Sequence, residues 1–420
     1  MSAHSDSASA VFSAARTSPV QGNGWARELI VPGAIPALDA LRAFAIILVL
    51  LRHGVRPFWD SSGHVLVPLG DWDLAVPLIN GWVGADLFFV LSGFLIGRQL
   101  ISAKARSERG PRALVRYLLR RALRILPAYY AVLALAALGL VPYYAISPDY
   151  LGLRVAWHIL LLQDYYPSNI VVVFWSLGVE EKFYLLAPIA FGFVFLLRNR
   201  FAQYTALLSL AALGLLARYL THLAHPEPIT YEAYFPTFRW PFHLCLEPLL
   251  LGLLVALLHR DWRDSPIRES FVVGNRRFEA GALLAGALFW CGCLATVAIL
   301  ATEPILDVID VKDRVWQPSL VAVAMAVWVA GAAFGAAPAR LASPWLVMTA
   351  KLSYVLYLVH VMVIPGANVI VDAVLGTSDV PQLARLIIFL PIYAVCSLAL
   401  GLAIHLAVER PFLKLKDRLV

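Results

Sequence analysis

Arg42 and His53 share one apolar stretch, LDALRAFAIILVLLRH at 38–53, and are eleven positions apart. At about 100° per residue, eleven steps are three turns plus roughly 20°, so on a helix both side chains lie on one face. At about 1.5 Å rise per residue they stand roughly 16 Å apart along the axis, about half the thickness of a bilayer core. A guanidinium is a permanent cation. An imidazole, with an ordinary pKa of about 6.5, can take a proton from a hydroxyl or attack an activated carbonyl carbon. Asp86, Glu180, Glu181, His243, Glu247 and His360 also fall within apolar stretches. Each charge held in a membrane costs at least about 2.5–3.5 kcal/mol on insertion scales. Ionisable groups on five helices at similar depth therefore suggest a wet, convergent cavity, with interhelical ion pairs as the alternative for any single residue.

The elements that must position these groups follow from composition. The 420-residue chain is 60% hydrophobic and 15% charged, and its mean hydropathy is +0.75. Soluble domains sit near about 45–50% apolar and about 25% charged, so the apolar runs are read as membrane spans. Ten stand out, at 36–57, 78–100, 125–142, 172–197, 203–222, 240–258, 279–300, 317–337, 345–367 and 384–408. The expected fold is all-α, a polytopic bundle of about ten transmembrane helices filling a membrane domain at 34–420. Residues 1–33 are rich in Ser, Ala, Gly and Pro and read as a disordered cytoplasmic tail. The segment 153–166, LRVAWHILLLQDYY within the loop 143–171, reads as an amphipathic piece at the outer interface, with His158 at the surface.

Basic residues mark one side. Lys104, Arg106, Arg109, Arg112, Arg116, Arg120, Arg121 and Arg124 follow the second span, and Arg198, Arg200, Arg260, Arg263, Arg268, Arg276, Arg277 and Arg340 follow later even-numbered spans. Asp71, Asp73, Glu227, Glu303, Asp307 and Asp310 lie in the opposite connections. The positive-inside rule puts both termini in the cytoplasm. It also accounts for the net charge of +7, which therefore does not indicate a nucleic-acid partner. Cys245, Cys291, Cys293 and Cys396 fall in apolar runs without clustered His or acidic neighbours and read as packing residues, so no metal site is expected.

Four stretches in order, LDALRAFAIILVLLRH at 38–53, GADLFFVLSGFLIG at 84–97, RRALRILPAYY at 120–130 and FWSLGVEEKFYLLAP at 174–188, closely resemble the membrane acyltransferase family three of O-antigen and peptidoglycan O-acetylases. LSYVLYLVH at 352–360 and VERPF at 408–412 fit as well, so the resemblance covers nearly all of 35–415. Ala40 and Ala85 depart from the family's usual glycine and valine. The resemblance implies a ten-span acyltransferase that draws on cytoplasmic acyl-CoA, with no tightly bound cofactor, and modifies a sugar hydroxyl of an envelope glycan. Its motifs fall on Arg42 with His53, on Arg121 with Arg124, and on Ser176, Leu177 and Glu180; His360 also matches a family position. Some relatives append a secreted esterase-like domain, so transfer is expected either within this chain or by hand-over to an envelope-glycan assembly protein.

Chemistry gives these positions reasons. His53 suits either a general base toward the acceptor hydroxyl or a nucleophile forming an acyl-imidazole. Asp86, Glu180 or Glu181 would orient its ring and stabilise its cation, with Glu181 turned about 100° from Glu180. Arg121 and Arg124, three apart on one face, suit the phosphates of CoA, with Arg42 beside them; anchoring to anionic lipid is the competing reading. Ser176, Glu181, Glu247 and His360 are expected to line the substrate cavity, and Trp175 and Tyr184 are weaker candidates. Loop aromatics such as Trp59, Trp72, Tyr143, Tyr144, Tyr165 and Tyr166 suit sugar stacking or an interfacial belt.

The reading is an inner-membrane O-acyltransferase, an O-acetyltransferase acting on lipopolysaccharide, exopolysaccharide or a related glycan. The alternatives are acylation of a small secondary metabolite or signalling oligosaccharide and, from another class, a transporter or flippase. Related halves with paired broken helices, the usual mark of a transporter, are not visible in the sequence.

Overall fold

The computed structural model describes residues 24–59, 66–70, 72–106, 110–166, 169–227, 229–263, 265, 270–273, 276–302, 310–335, 341, 343–376 and 380–419. Of the residues used above to orient the chain, Asp71, Arg109, Arg268, Glu303, Asp307 and Arg340 lie outside these, as does most of the N-terminal tail.

Helices dominate. In chain order they are α1 (Gly24–Ile30), α2 (Pro36–Val55), α3 (Val76–Ile79), α4 (Val83–Ala105), α5 (Pro111–Ala137), α6 (Leu151–Ile159), α7 (Trp175–Leu196), α8 (Arg200–Ala224), α9 (Tyr231–Tyr234), α10 (Leu246–Arg263), α11 (Ala280–Leu300), α12 (Gln317–Ala333), α13 (Pro344–Val359), α14 (Ile364–Leu375), α15 (Gln382–Ile404) and α16 (Arg410–Leu419). Among the described residues, strands are confined to two hairpins, Pro68–Leu69 with Trp72–Asp73 and Ser270–Val273 with Arg276–Glu279.

Each of the ten expected apolar stretches carries a helix, yet not each is a plain span. Among the described residues, five helical runs are long and apolar enough to cross a membrane alone: Val76–Ala105, Arg200–Ala224, Ala280–Leu300, Lys312–Ala333 and Gln382–Leu419. Four helices at expected spans, α2, α5, α7 and α10, fall outside that set because they carry charge. Asp39, Arg42 and Arg52 lie on α2, Arg120, Arg121 and Arg124 on α5, Glu180, Glu181 and Lys182 on α7, and Glu247, Arg260 and Asp261 on α10.

The expected span at 345–367 is broken. It consists of α13 and α14, bent by 89° across His360–Val363. Pro365, in the first turn of α14, has no N–H to continue the α13 ladder. Interrupted backbone at membrane depth persists where protein or a cavity satisfies it, and His360 Nδ1 lies 2.9 Å from the Tyr357 carbonyl at this break.

Small residues let the central helices meet. Gly93 of α4 faces the Leu249 carbonyl of α10, and Gly252 of α10 faces the Val90 carbonyl of α4; a Cβ at either would overlap that backbone. Without a hydrophobic drive between helices in lipid, such close packing is what holds a span pair together. The helix α4 therefore runs through the middle of the bundle with α2, α7 and α12 also against it. Gly93→Leu is expected to cost at least about 1–3 kcal/mol through overpacking, seen as a lower thermal midpoint in detergent. An unchanged midpoint would contradict the close approach.

Candidate active site

His53 stands in the last turn of α2, and its ring packs edge-on against His360, with centroids 4.9 Å apart. His360 is fully buried. Its Nδ1 faces two carbonyl oxygens, Tyr357 O at 2.9 Å and Leu356 O at 3.1 Å. Those partners only accept, so in the uncharged ring Nδ1 carries the proton and Nε2 carries the lone pair. That Nε2 lies 3.2 Å from Nδ1 of His53, which is also 2.9 Å from the Val49 carbonyl. Nδ1 of His53 thus faces two acceptors and is itself protonated. The remaining nitrogen, Nε2 of His53, holds the free lone pair.

A cavity of about 320 Å³ surrounds His53, walled by Trp82, Trp175, Trp240, Arg52, Arg239 and Tyr357 among others. Arg52 donates from Nη1 to Ile79 O at 2.7 Å. Arg239 sits on a π-helical turn, Phe235–Arg239, which re-aims its side chain into the bundle. There it pairs with Asp86 (Nη2–Oδ2 2.8 Å, Nη1–Oδ1 3.3 Å), and its guanidinium lies 5.1 Å over the Trp82 ring.

A second cavity, about 110 Å³, lies on the Arg42 side. Arg42, Arg121, Arg124, Glu180, Tyr184 and Ser92 line it. Glu180 accepts from Ser92 Oγ at 2.9 Å and from Tyr184 OH at 2.8 Å. Arg121 donates to Gln99 at 2.5 Å and lies over the Tyr184 ring. Arg124 makes no hydrogen bond or ion pair with any described residue. Three guanidinium groups line it with one carboxylate, and Arg42 also reaches Asp39 at 3.9 Å, which still leaves the cavity net cationic.

The two cavities share Ala85 and Tyr357 as walls. The Tyr357 hydroxyl donates to Val173 O at 3.0 Å and is 2.6 Å from Ser176 Oγ, so the partition is pinned from α7 and the turn before it.

Several expectations need correction. The carboxylate expected to orient the His53 ring is absent among its described partners; His360 stands there instead. Glu180 belongs to the arginine cavity, and both oxygens of Asp86 are taken by Arg239. Glu247 lines neither cavity. It is locked to Arg218 of α8 and accepts from Ser319 Oγ at 2.8 Å, as an interhelical pair. Glu181, one position on from Glu180, also lines neither. His158 is not at the surface but 1% exposed, 3.0 Å from Tyr129 OH, and burial pushes its imidazole down to about 4. Ser176 does line a cavity, at the partition, whereas His360 lines neither and stands behind His53.

Arg239 and Tyr357 escaped the sequence reading. Arg239 had a signal, as a single cation in the aromatic stretch YFPTFRWPF at 234–242, on the side where few basic residues are expected. Tyr357 had none beyond its i, i+3 spacing from His360.

The family model described as an acyltransferase domain matches residues 35–406. The chain is a member of the membrane acyltransferase family three. The chain is 29% identical to the O-acetyltransferase OatA of Staphylococcus aureus (strain NCTC 8325 / PS 47) over 249 residues, which cover 55% of the chain and 36% of that protein. It is 28% identical to the peptidoglycan O-acetyltransferase OatA of Listeria monocytogenes serovar 1/2a over 289 residues, or 65% and 41% of the two chains. These alignments thus span about two fifths or less of the curated relatives' length. No solved structure matches the chain.

Breaking the Asp86–Arg239 pair is expected to be costly, because it strands a buried charge. Arg239→Met should lose about 3–5 kcal/mol, read as a fall in the unfolding midpoint. Arg239→Met combined with Asp86→Leu should recover most of that loss, and a double variant no more stable than the single one would rule out the coupling.

Proposed function

We propose that the protein is an integral membrane O-acyltransferase that moves an acetyl group from an acyl-CoA thioester to a hydroxyl of an envelope glycan. The observation that carries this reading is the pair of cavities, one cationic and one holding His53, that meet at Ala85 and Tyr357. Guanidinium forks suit phosphate oxygens, so Arg42, Arg121 and Arg124 would hold the phosphate-bearing donor and direct its thioester toward Tyr357. The acceptor hydroxyl would come to the His53 side, where Trp82, Trp175 and Trp240 offer flat faces to a sugar ring.

The free lone pair on His53 Nε2 serves either a general base or a nucleophile, and the route proposed is the general-base one. Nε2 takes the hydroxyl proton as the oxygen attacks the thioester carbon. His360 accepts from the opposite nitrogen and stabilises the imidazolium that forms. The C–O ester bond forms, the C–S bond breaks, and the thiolate recovers a proton from His53. Arg52 supplies positive potential at the same cavity for the developing oxyanion. The basic ends of α4 and α5 would face the cytoplasm, both termini would lie on that side of the inner membrane, and the bundle would cross ten times. The name of the Listeria relative points to peptidoglycan as one acceptor, alongside lipopolysaccharide and exopolysaccharide. Envelope-glycan assembly proteins and membrane lipids are its expected neighbours.

Two sets of variants test the roles. His53→Ala should lower transfer by at least about 10²-fold, the contribution of a positioned base, while the protein still reaches the membrane. Retained O-acetylation would remove His53 from the chemistry. Arg121→Ala combined with Arg124→Ala should raise KM for acetyl-CoA by roughly 10- to 100-fold, as two charge-assisted contacts are lost. Wild-type KM in that variant would remove the donor assignment.

Tyr357→Ala should open the partition and raise donor hydrolysis relative to transfer, whereas Tyr357→Phe should keep them near the wild-type ratio. The check is the ratio of thiol released to ester formed. Equal ratios in all three proteins would deny Tyr357 a separating role.

A further inference from the structure

A third cavity, about 520 Å³, opens beyond the arginine cavity between α4, α5 and α7. It continues the same three helices by about one turn each. Leu95, Arg121 with Arg124, and Tyr184 line the arginine cavity; Gln99, Tyr117 with Arg120, and Pro188 line this one. Gln99 bridges the two, since it lines the outer space while accepting from Arg121 at 2.5 Å.

The walls have two characters. Lys104, Arg106, Arg116 and Arg120 supply cationic heads, with no acidic residue in the lining among the described residues. Phe191 and Phe195 form an apolar aromatic side, with Lys104 Nζ 3.7 Å from the Phe195 ring centroid. Between them stands Tyr117. Its side chain is only 7% exposed, and its hydroxyl has no hydrogen-bond partner among the described residues. The Nε of Arg121, buried at the junction, is likewise without one. Buried polar groups are normally paired, and an orphan donor beside a cationic cavity calls for an acceptor-rich occupant.

We infer that this cavity binds the adenosine 3′-phosphate end of the donor, while the arginine cavity takes the pyrophosphate and the arm that leads to the thioester. This rests on the acyl-CoA reading above and deepens it. Phosphate oxygens accept from Tyr117, Arg116 and Arg120, and the base packs on the Phe191–Phe195 side. A lipid phosphate shares part of this chemistry. The aromatic wall and the direct continuity with the arginine cavity favour a molecule that occupies both spaces.

The test uses the full chain in zwitterionic nanodiscs and two donors with the same thioester, acetyl-CoA and S-acetylpantetheine, which lacks the nucleotide. Arg116→Ala combined with Arg120→Ala should raise KM for acetyl-CoA about tenfold or more, as a charge-assisted contact is lost, with kcat little changed. KM for S-acetylpantetheine should not move. Tyr117→Phe, which keeps the ring and its packing, should raise KM for acetyl-CoA alone. Adenosine 3′,5′-bisphosphate should compete with acetyl-CoA in wild type and lose potency in the variants. If both donors shift equally, or neither shifts, the inference is overturned while acyl-CoA use stands. It is overturned as well if the variants change only the binding of vesicles containing anionic phospholipid, which would assign the cavity to lipid. Wild type that turns over neither donor would defeat the parent reading and the inference with it.

Discussion

The rest of the structure depends on the cost of charge inside an apolar bundle. Asp86, Arg218, Glu247 and the cluster of Arg42, Arg121, Arg124 and Glu180 lie on helices placed where spans were expected, and Arg239, the partner of Asp86, on the turn just before one. A charge in such surroundings persists only if it is paired, hydrogen-bonded or wetted. Two of these groups meet that condition by pairing and become interhelical ties. The third does not balance, because three cations stand against Glu180 and, through Arg42, Asp39, and Arg124 has no counter-ion among the described residues. Imbalance, rather than charge itself, distinguishes the candidate binding cavity from the structural pairs.

The helix α4 turns that imbalance into a direction. Trp82 and Ala85 line the His53 cavity, Ala85 to Leu95 the arginine cavity, and Gln99 to Arg106 the outermost one. At about 1.5 Å per residue, the 24 steps from 82 to 106 span roughly 36 Å, comparable with a bilayer core. Gly93 and Gly252 hold α4 against α10 on one side, leaving the opposite side to the cavities. The break between α13 and α14 completes the line, since it sets His360 behind His53 and Tyr357 across the partition.

The order of helices was legible because membrane helices must be continuous apolar runs of about 20 residues, a strong pattern. The same pattern misread 345–367 as one span, since hydropathy does not register the bend set by Pro365. His53, Arg42, Arg121 and Arg124 were legible as expensive residues at helical spacing. Glu247 and Asp86 were equally expensive in sequence, and nothing there distinguished them from cavity residues. Their partners, Arg218 and Arg239, are 29 and 153 positions away, and pairing over such separations is decided by packing alone. Arg239 also depends on a π-helical turn that no local propensity announces.

By itself the sequence determined a helical membrane chain, its succession of apolar segments, its basic connections, and the stripe that joins Arg42 to His53. These are local properties, set by hydropathy and by the 3.6-residue repeat. Only the tertiary structure decided that the orienting partner of His53 is His360 rather than a carboxylate, and that Glu180 stands with the arginines. It alone separated the two cavities by Tyr357. The physical reason is that hydrogen bonding and desolvation act between atoms within about 3 Å. Which atoms come that close is set by how glycine contacts, proline breaks and ion pairs seat the helices on one another.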